Sequence, residues 1–140
     1  MKVEIRTYQK GDAAAVIQLW RECSLVVSHN DPKKDILRKV AIQPDLFLVG
    51  LKGRRVVATV MAGYEGHRGW LNYLAVSPNQ QRGGIGRQMV GEAERRLRAL
   101  GCPKINLMIR RSNAGVMAFY RKLGFSEDDV VSMGKRLEKD

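Results

Sequence analysis

A chain of 140 residues, 44% of them hydrophobic, has room for one packed domain and not for two, and is too apolar to stay disordered. Its two cysteines, Cys23 and Cys102, are too few for a disulfide framework, and no apolar run is long enough to span a bilayer. The net charge of +11 leaves two readings, a nucleic-acid surface or a pocket for a polyanionic cofactor; with 6% aromatic residues and no basic tail, the first lacks a base-stacking platform.

Lys2 to Tyr8 alternates Val3, Ile5 and Thr7 with Lys2, Glu4 and Arg6, the pattern of a half-buried strand and not of a signal peptide. A cytoplasmic location with reduced thiols is therefore expected. Asp12 is placed to cap a helix that carries Ala13, Val16, Ile17 and Trp20 and ends near Cys23. After the polar stretch Ser28-His29-Asn30-Asp31-Pro32, Asp31 caps a second helix and Pro32 takes its first position; Ile36, Leu37 and Val40 lie on it. Pro44 and Asp45 end it. Leu46 to Leu51, a turn at Lys52-Gly53, and Val56 to Tyr64 read as a hairpin. The polar turn Glu65-Gly66-His67-Arg68-Gly69 leads into a third strand of that group, Trp70 to Val76.

Pro78 and Asn79 stop that strand, and Gly83, Gly84 and Gly86 follow. A helix opens at once, with Ile85, Met89, Val90, Ala93, Leu97 and Leu100 on one face, and ends at Gly101. Pro103 to Ile109 alternates as a strand. A last helix runs from Asn113 to about Leu123, stopped by Gly124, and Phe125 to Leu137 is a final strand region, broken near Asp128-Asp129. The order is β-α-α-β-β-β-α-β-α-β. Its central strand–helix–strand unit demands a parallel pair beside antiparallel hairpins, so the fold class is α/β with a mixed, mostly antiparallel sheet and about four helices, in a single domain over residues 1–140.

The strand, glycine turn and helix N-terminus between Trp70 and Leu100 make an anion site: unpaired N–H groups, the positive end of a helix dipole, and no β-carbons to block approach. No Gly-Lys-Ser/Thr closes the loop, and its glycines are not spaced G-x-G-x-x-G, which excludes the two common nucleotide motifs. The run Gln81-Arg82-Gly83-Gly84-Ile85-Gly86 has instead the form Q/R-x-x-G-x-G/A. Downstream, Asn113-Ala114-Gly115-Val116-Met117-Ala118-Phe119-Tyr120-Arg121-Lys122-Leu123-Gly124-Phe125 follows N-x-x-A-x-x-[LF]-Y-x-K-x-G-F, with Val116 where Ala is usual. Each motif alone reads equally as structure, a glycine turn before a surface helix and an amphipathic core tyrosine. Together, at this distance, they resemble the GCN5-related N-acetyltransferases, the GNAT superfamily, and small bacterial members in particular. The likeness covers most of the chain and is best from Val56 to Phe125.

The resemblance implies acetyl-CoA as cofactor and a primary amine, small-molecule or peptide, as acceptor. It assigns the pantetheine arm and thioester carbonyl to the backbone of Leu74, Ala75 and Val76. It assigns the pyrophosphate to Gln81, Arg82, Gly83, Gly84, Ile85, Gly86 and Arg87, the cofactor arm also to Asn113, and protonation of the departing thiolate to Tyr120. The two histidines and two cysteines supply no nucleophile–base set for a covalent route, so direct attack in a ternary complex is implied. Members that acetylate ribosomal-protein N-termini carry a glutamate on the strand before the Asn–Tyr helix. Met108 stands in that place here, which weighs against a peptide N-terminus, and Glu65 is the substitute for the general base. Residues 28–32 and 63–69, polar loops on a rigid sheet, are expected to form the acceptor pocket. His67 and His29 read equally as solvated loop residues. A non-catalytic acyl-CoA-binding module is the alternative reading. Homodimers are common in the family; neither a membrane nor nucleic acid is expected as a partner.

Overall fold

The computed structural model describes residues 2–140; Met1, the first residue of the domain read from the sequence, lies outside the described residues. Five strands, β1 (Glu4–Thr7), β2 (Phe47–Lys52), β3 (Arg55–Tyr64), β4 (Gly69–Val76) and β5 (Ile105–Asn106), form one sheet in chain order. The first three pairings are antiparallel and β4–β5 is parallel. The helices are α1 (Ala13–Glu22), α2 (Pro32–Ile42), α3 (Ile85–Ala99) and α4 (Ala114–Lys122). The mixed α/β architecture expected from the strand–helix–strand unit is therefore the one found. Two compact units divide the chain: the first runs to Asn106 and takes in Asp140, the second is Leu107–Lys139.

In the first unit the sheet has helices on both faces, and strand alternation sends residues to each. Phe47, Val49 and Leu51 of β2 join Val16, Ile17, Leu19 and Trp20 of α1 and Ile36 of α2 in one buried cluster. The opposite face takes α3. There Gly50 lets helix and sheet approach closely: a Cβ at this position would sit 2.9 Å from Met89 Sδ and 3.2 Å from Ala58 Cβ. Asp31 caps α2 as expected, accepting from the N–H groups of Lys33 (2.9 Å) and Lys34 (3.3 Å), with Pro32 in the first turn. Gln43 continues the work of a strand partner, donating to the Tyr64 carbonyl (3.1 Å) and accepting from the Tyr64 N–H (3.0 Å), which fixes the C-terminal end of α2 against the end of β3.

Three expectations are corrected. Asp12 makes no side-chain cap to α1. Its carboxylate instead accepts from both Arg6 guanidinium nitrogens (2.7 and 3.0 Å) and from the Gln9 N–H (2.8 Å), because a buried carboxylate is better satisfied by a fork of charged donors than by one helix amide. The Arg6 hydrogen bond then holds its carboxyl below the usual range, against the opposing effect of burial. The strand expected over 103–109 forms only at Ile105–Asn106, which pair with Gly69 and Trp70 at the start of β4. Phe125 to Leu137 makes no strand: Val130, Val131, Met133 and Leu137 lie exposed. Acidic residues on one side and Gly134-Lys135-Arg136 on the other leave too short an alternation, and a strand exists only through its ladder partners.

In the second unit, Asn113 Oδ1 accepts from the Val116 N–H (3.2 Å) and starts α4. The Tyr120 ring meets Phe119 and Phe125 edge-on, with centroids 5.0 and 5.3 Å apart, and the Phe125 N–H donates to the Tyr120 carbonyl (3.1 Å). Phe125 thus folds back on the helix as its sequence position after Gly124 suggests.

Candidate active site

The glycine loop joins β4 to α3. Ser77 N–H donates to the Val57 carbonyl (2.8 Å) as the last ladder bond, and a single 3-10 turn, Pro78–Gln80, reverses the chain. Gly84 at φ 85° stands at the N-cap of α3, a left-handed conformation that suits glycine, and Arg82 before it is also left-handed at φ 69°. Ile85 is buried and anchors the helix, while Arg82, Gly83, Gly84 and Arg87 are exposed. The first helical bond runs from Gln88 N–H to the Gly84 carbonyl (3.1 Å), so the N–H groups of Ile85, Gly86 and Arg87 precede the ladder. The first turn contains no acidic residue. Backbone donors, a helix N-terminus and two exposed arginines thus belong to one short segment, chemistry that suits a phosphate-bearing ligand.

Leading into the loop, β4 carries a bulge. Met61 pairs with Asn72 and Thr59 with Ala75, so Tyr73 and Leu74 stand opposite the single residue Val60. Tyr73 takes φ 52°, rare for a bulky side chain. A chain of hydrogen bonds locks it there: Trp20 Nε1 donates to Thr59 Oγ1 (2.9 Å), and that hydroxyl donates to the Tyr73 carbonyl (2.8 Å). The Trp20 and Tyr73 rings stack at 3.8 Å, and the phenol donates to Asp35 Oδ2 of α2 at 2.5 Å. Beyond the bulge come Leu74, Ala75 and Val76. Within the first unit, β5 pairs only with Gly69 and Trp70, so these three residues have β3 on one side and no ladder to β5 on the other. The Val76 carbonyl is already an acceptor, for Gln81 Nε2 (3.0 Å) and Cys23 Sγ (3.3 Å). Gln81 therefore braces the loop against the strand.

In the second unit, Asn113 spends its oxygen on the helix cap, which leaves its amide nitrogen for a ligand. Tyr120 is buried, and desolvation pushes its phenol up to about 12, so it stays protonated across the neutral range. Met108, on the segment before α4, is exposed.

Glu65 has a local task. Its Oε1 accepts from the His67 N–H (2.7 Å) and from the Arg68 N–H, closing the turn between β3 and β4. These backbone bonds, Arg68 first, hold the carboxyl below its ordinary range and weaken it as a base. The two polar loops expected to share an acceptor pocket lie at opposite ends of α2, about 16 Å apart along its axis. Residues 28–31 precede its capped N-terminus, and Gln43 at its other end holds Tyr64, next to Glu65. The contacts absent from the sequence reading are those of Thr59, Tyr73 and Asp35. A bulge needs only one extra residue, and the unbroken run Tyr73-Leu74-Ala75-Val76 hides it.

A mixed sheet whose bulged fourth strand runs into an open, basic glycine loop at a helix N-terminus defines a class of proteins that hold a phosphate-bearing ligand at a strand end. The chain belongs to the acetyltransferase (GNAT) family, whose sequence profile matches residues 13–125. An acetyltransferase of Pectobacterium atrosepticum is 44% identical over 138 residues, 99% of this chain and 98% of that one. In fold, the chain is similar to the PaiA N-acetyltransferase of Thermoplasma acidophilum, solved in complex with coenzyme A (TM-score 0.83, 21% identity, 94% of each chain). It is also similar to the ribosomal-protein-S18-alanine N-acetyltransferase of Escherichia coli (TM-score 0.75, 22% identity, 91% of this chain and 79% of that one). Among the described residues no helix is long and apolar enough to cross a membrane.

Proposed function

We propose that this protein is an acetyl-CoA-dependent N-acetyltransferase that acts on a primary amine by direct attack in a ternary complex, in the cytoplasm. The observation that carries the reading is the continuity of the bulged β4 edge with the open glycine loop. One offers backbone groups to an amide-bearing arm, the other offers N–H groups and arginines to a pyrophosphate. Leu74, Ala75 and Val76 hold the arm, Gln81 to Arg87 the pyrophosphate, and Asn113 a further part of the arm. Acetyl-CoA supplies an acetyl group activated as a thioester. Tyr120, neutral at pH 7, gives its proton to the sulfur as the thiolate leaves. Glu65, ionised and exposed, draws the acceptor's ammonium group toward the sheet. Support for an amine acceptor comes from family membership and from the two N-acetyltransferases of like fold.

A non-catalytic acyl-CoA-binding module is the second reading, and the methionine at position 108 favours it. Calorimetric titration with acetyl-CoA, CoA and a nonspecific DNA duplex tests the cofactor. CoA release with spermidine, kanamycin, a lysine-containing peptide and a peptide with a free alanyl N-terminus tests turnover. Binding of acetyl-CoA and not of DNA, with CoA release for at least one amine, is expected. Binding without any release selects the module. Tyr120→Phe is expected to keep acetyl-CoA affinity and to lower turnover by roughly 100-fold or more; unchanged turnover removes the proton-donor role.

A further inference from the structure

The Tyr73–Asp35 pair is held more tightly than a surface hydrogen bond needs. The phenol donates to Asp35 Oδ2 at 2.5 Å, the ring stacks on Trp20 at 3.8 Å, and the backbone is fixed at φ 52° by the Thr59 hydroxyl. Four elements, α1, α2, β3 and β4, thus converge to aim one phenol. Strained conformations that the surroundings enforce in this way cluster at functional sites. Bulges likewise serve to re-aim a side chain. Tyr73 adjoins Leu74, the first of the three residues assigned to the pantetheine arm, and its side chain lies on the α1–α2 face, away from α3. Both the ring and the carboxylate are partly open to solvent.

We infer that Tyr73 and Asp35 form a relay that takes the proton of the acceptor's ammonium group; this rests on the N-acetyltransferase reading above. The phenol oxygen has lone pairs to accept while its hydrogen is donated to the carboxylate. One ammonium proton passes to Tyr73 Oη as the phenol's own proton passes to Asp35 Oδ2 and from there to water. Tyr73 begins and ends neutral, and the free amine is left with its lone pair for attack. The second amine proton leaves to water after the N–C bond forms, and Tyr120, having protonated the sulfur, is replenished from water. Burial and the Asp35 carboxylate both push the Tyr73 phenol up, which keeps its proton in place until one arrives to replace it. The charged groups around the pair are Arg38, 3.3 Å from Asp35, and Asp140, which Arg38 holds at 2.9 Å. α1 and β3 present the neutral Trp20 and Thr59. The relay supplies the base that Met108 does not and that the turn-bound Glu65 supplies only weakly.

The test uses Tyr73→Phe, which keeps the ring stack, and Asp35→Asn, which keeps an acceptor oxygen for the phenol. CoA release is measured with the fastest amine of the panel above, which arrives protonated at neutral pH. It is measured again with hydroxylamine, which arrives largely unprotonated. Each variant is expected to lower the rate with the protonated amine about 100-fold more than the rate with hydroxylamine. Acetyl-CoA affinity, read by calorimetry, is expected to stay. An equal loss with both amines, no loss, or a loss of acetyl-CoA affinity overturns the relay and leaves the transferase reading standing. No CoA release by the unmodified protein with any of these amines takes down the transferase reading, and the relay with it. A readout without turnover is the phenol itself. In ultraviolet difference titration, Asp35→Asn lets one tyrosine ionise at lower pH, and that change disappears when Tyr73→Phe is added. No change in Asp35→Asn overturns the coupling.

Discussion

The glycine loop and the β4 bulge adjoin in the chain but are built by opposite means. In the loop, conformation and chemistry both come from a few consecutive residues: Gly84 supplies the left-handed turn, Ile85 the anchor, and the first N–H groups of α3 the donors. Its side-chain demands are few: Gln81 braces it against β4, and Lys52 reaches Gln80. The bulge depends on partners remote in sequence. Thr59 lies 14 residues before Tyr73, Trp20 lies 39 residues before Thr59, and Asp35 lies 38 residues before Tyr73. A site that works through backbone geometry is local and cheap to specify. A site that works through one aimed side chain needs a folded surround.

That contrast can be broken at either end. Gly84→Val is expected to have the largest effect, removing measurable acetyl-CoA binding in calorimetry. A β-branched residue resists φ 85°, and its side chain crowds the donors. The backbone strain should itself cost about 1–3 kcal/mol of stability in chemical denaturation, although no atom lies within 4 Å of the added Cβ. A large loss of stability with binding kept would show that the loop is a folding device and not a ligand site. Thr59→Val comes next and should act on stability far more than on binding. It strips the Trp20 N–H and the Tyr73 carbonyl of their buried partner, at a cost of about 2 kcal/mol in chemical denaturation. The glycine loop itself is left untouched, so acetyl-CoA affinity should fall far less than in Gly84→Val. Equal affinity losses in the two variants would mean that the loop and the bulge are one cooperative unit. Glu65→Gln is expected to be the smallest change. The amide oxygen still closes the turn, and loss of one exposed charge raises the amine KM by about threefold with kcat unchanged. A large fall in kcat would restore Glu65 as the base.

The same division separates what was legible in the sequence from what was not. Features set by neighbours within a turn or two were readable. These are the Asp31–Pro32 start of α2, the Asn113 cap of α4, the hairpin of β2 and β3, the loop before α3, and the parallel pair implied by a strand–helix–strand unit. Asp12 was misread because its local rule, capping, lost to Arg6 across the turn. β5 and the region 125–137 were overextended because apolar alternation reports a willing strand, whereas a strand forms only where another edge accepts its hydrogen bonds. By itself, the sequence determined the order of elements through α4 and the glycine loop before α3, which follow from periodicity and backbone chemistry, and its two motifs carried the likeness to the family. Only the tertiary structure decided that Tyr73 is turned out of the β4 ladder and aimed at Asp35, because that conformation is strained for an isolated chain and exists only where Trp20 and Thr59 close over it.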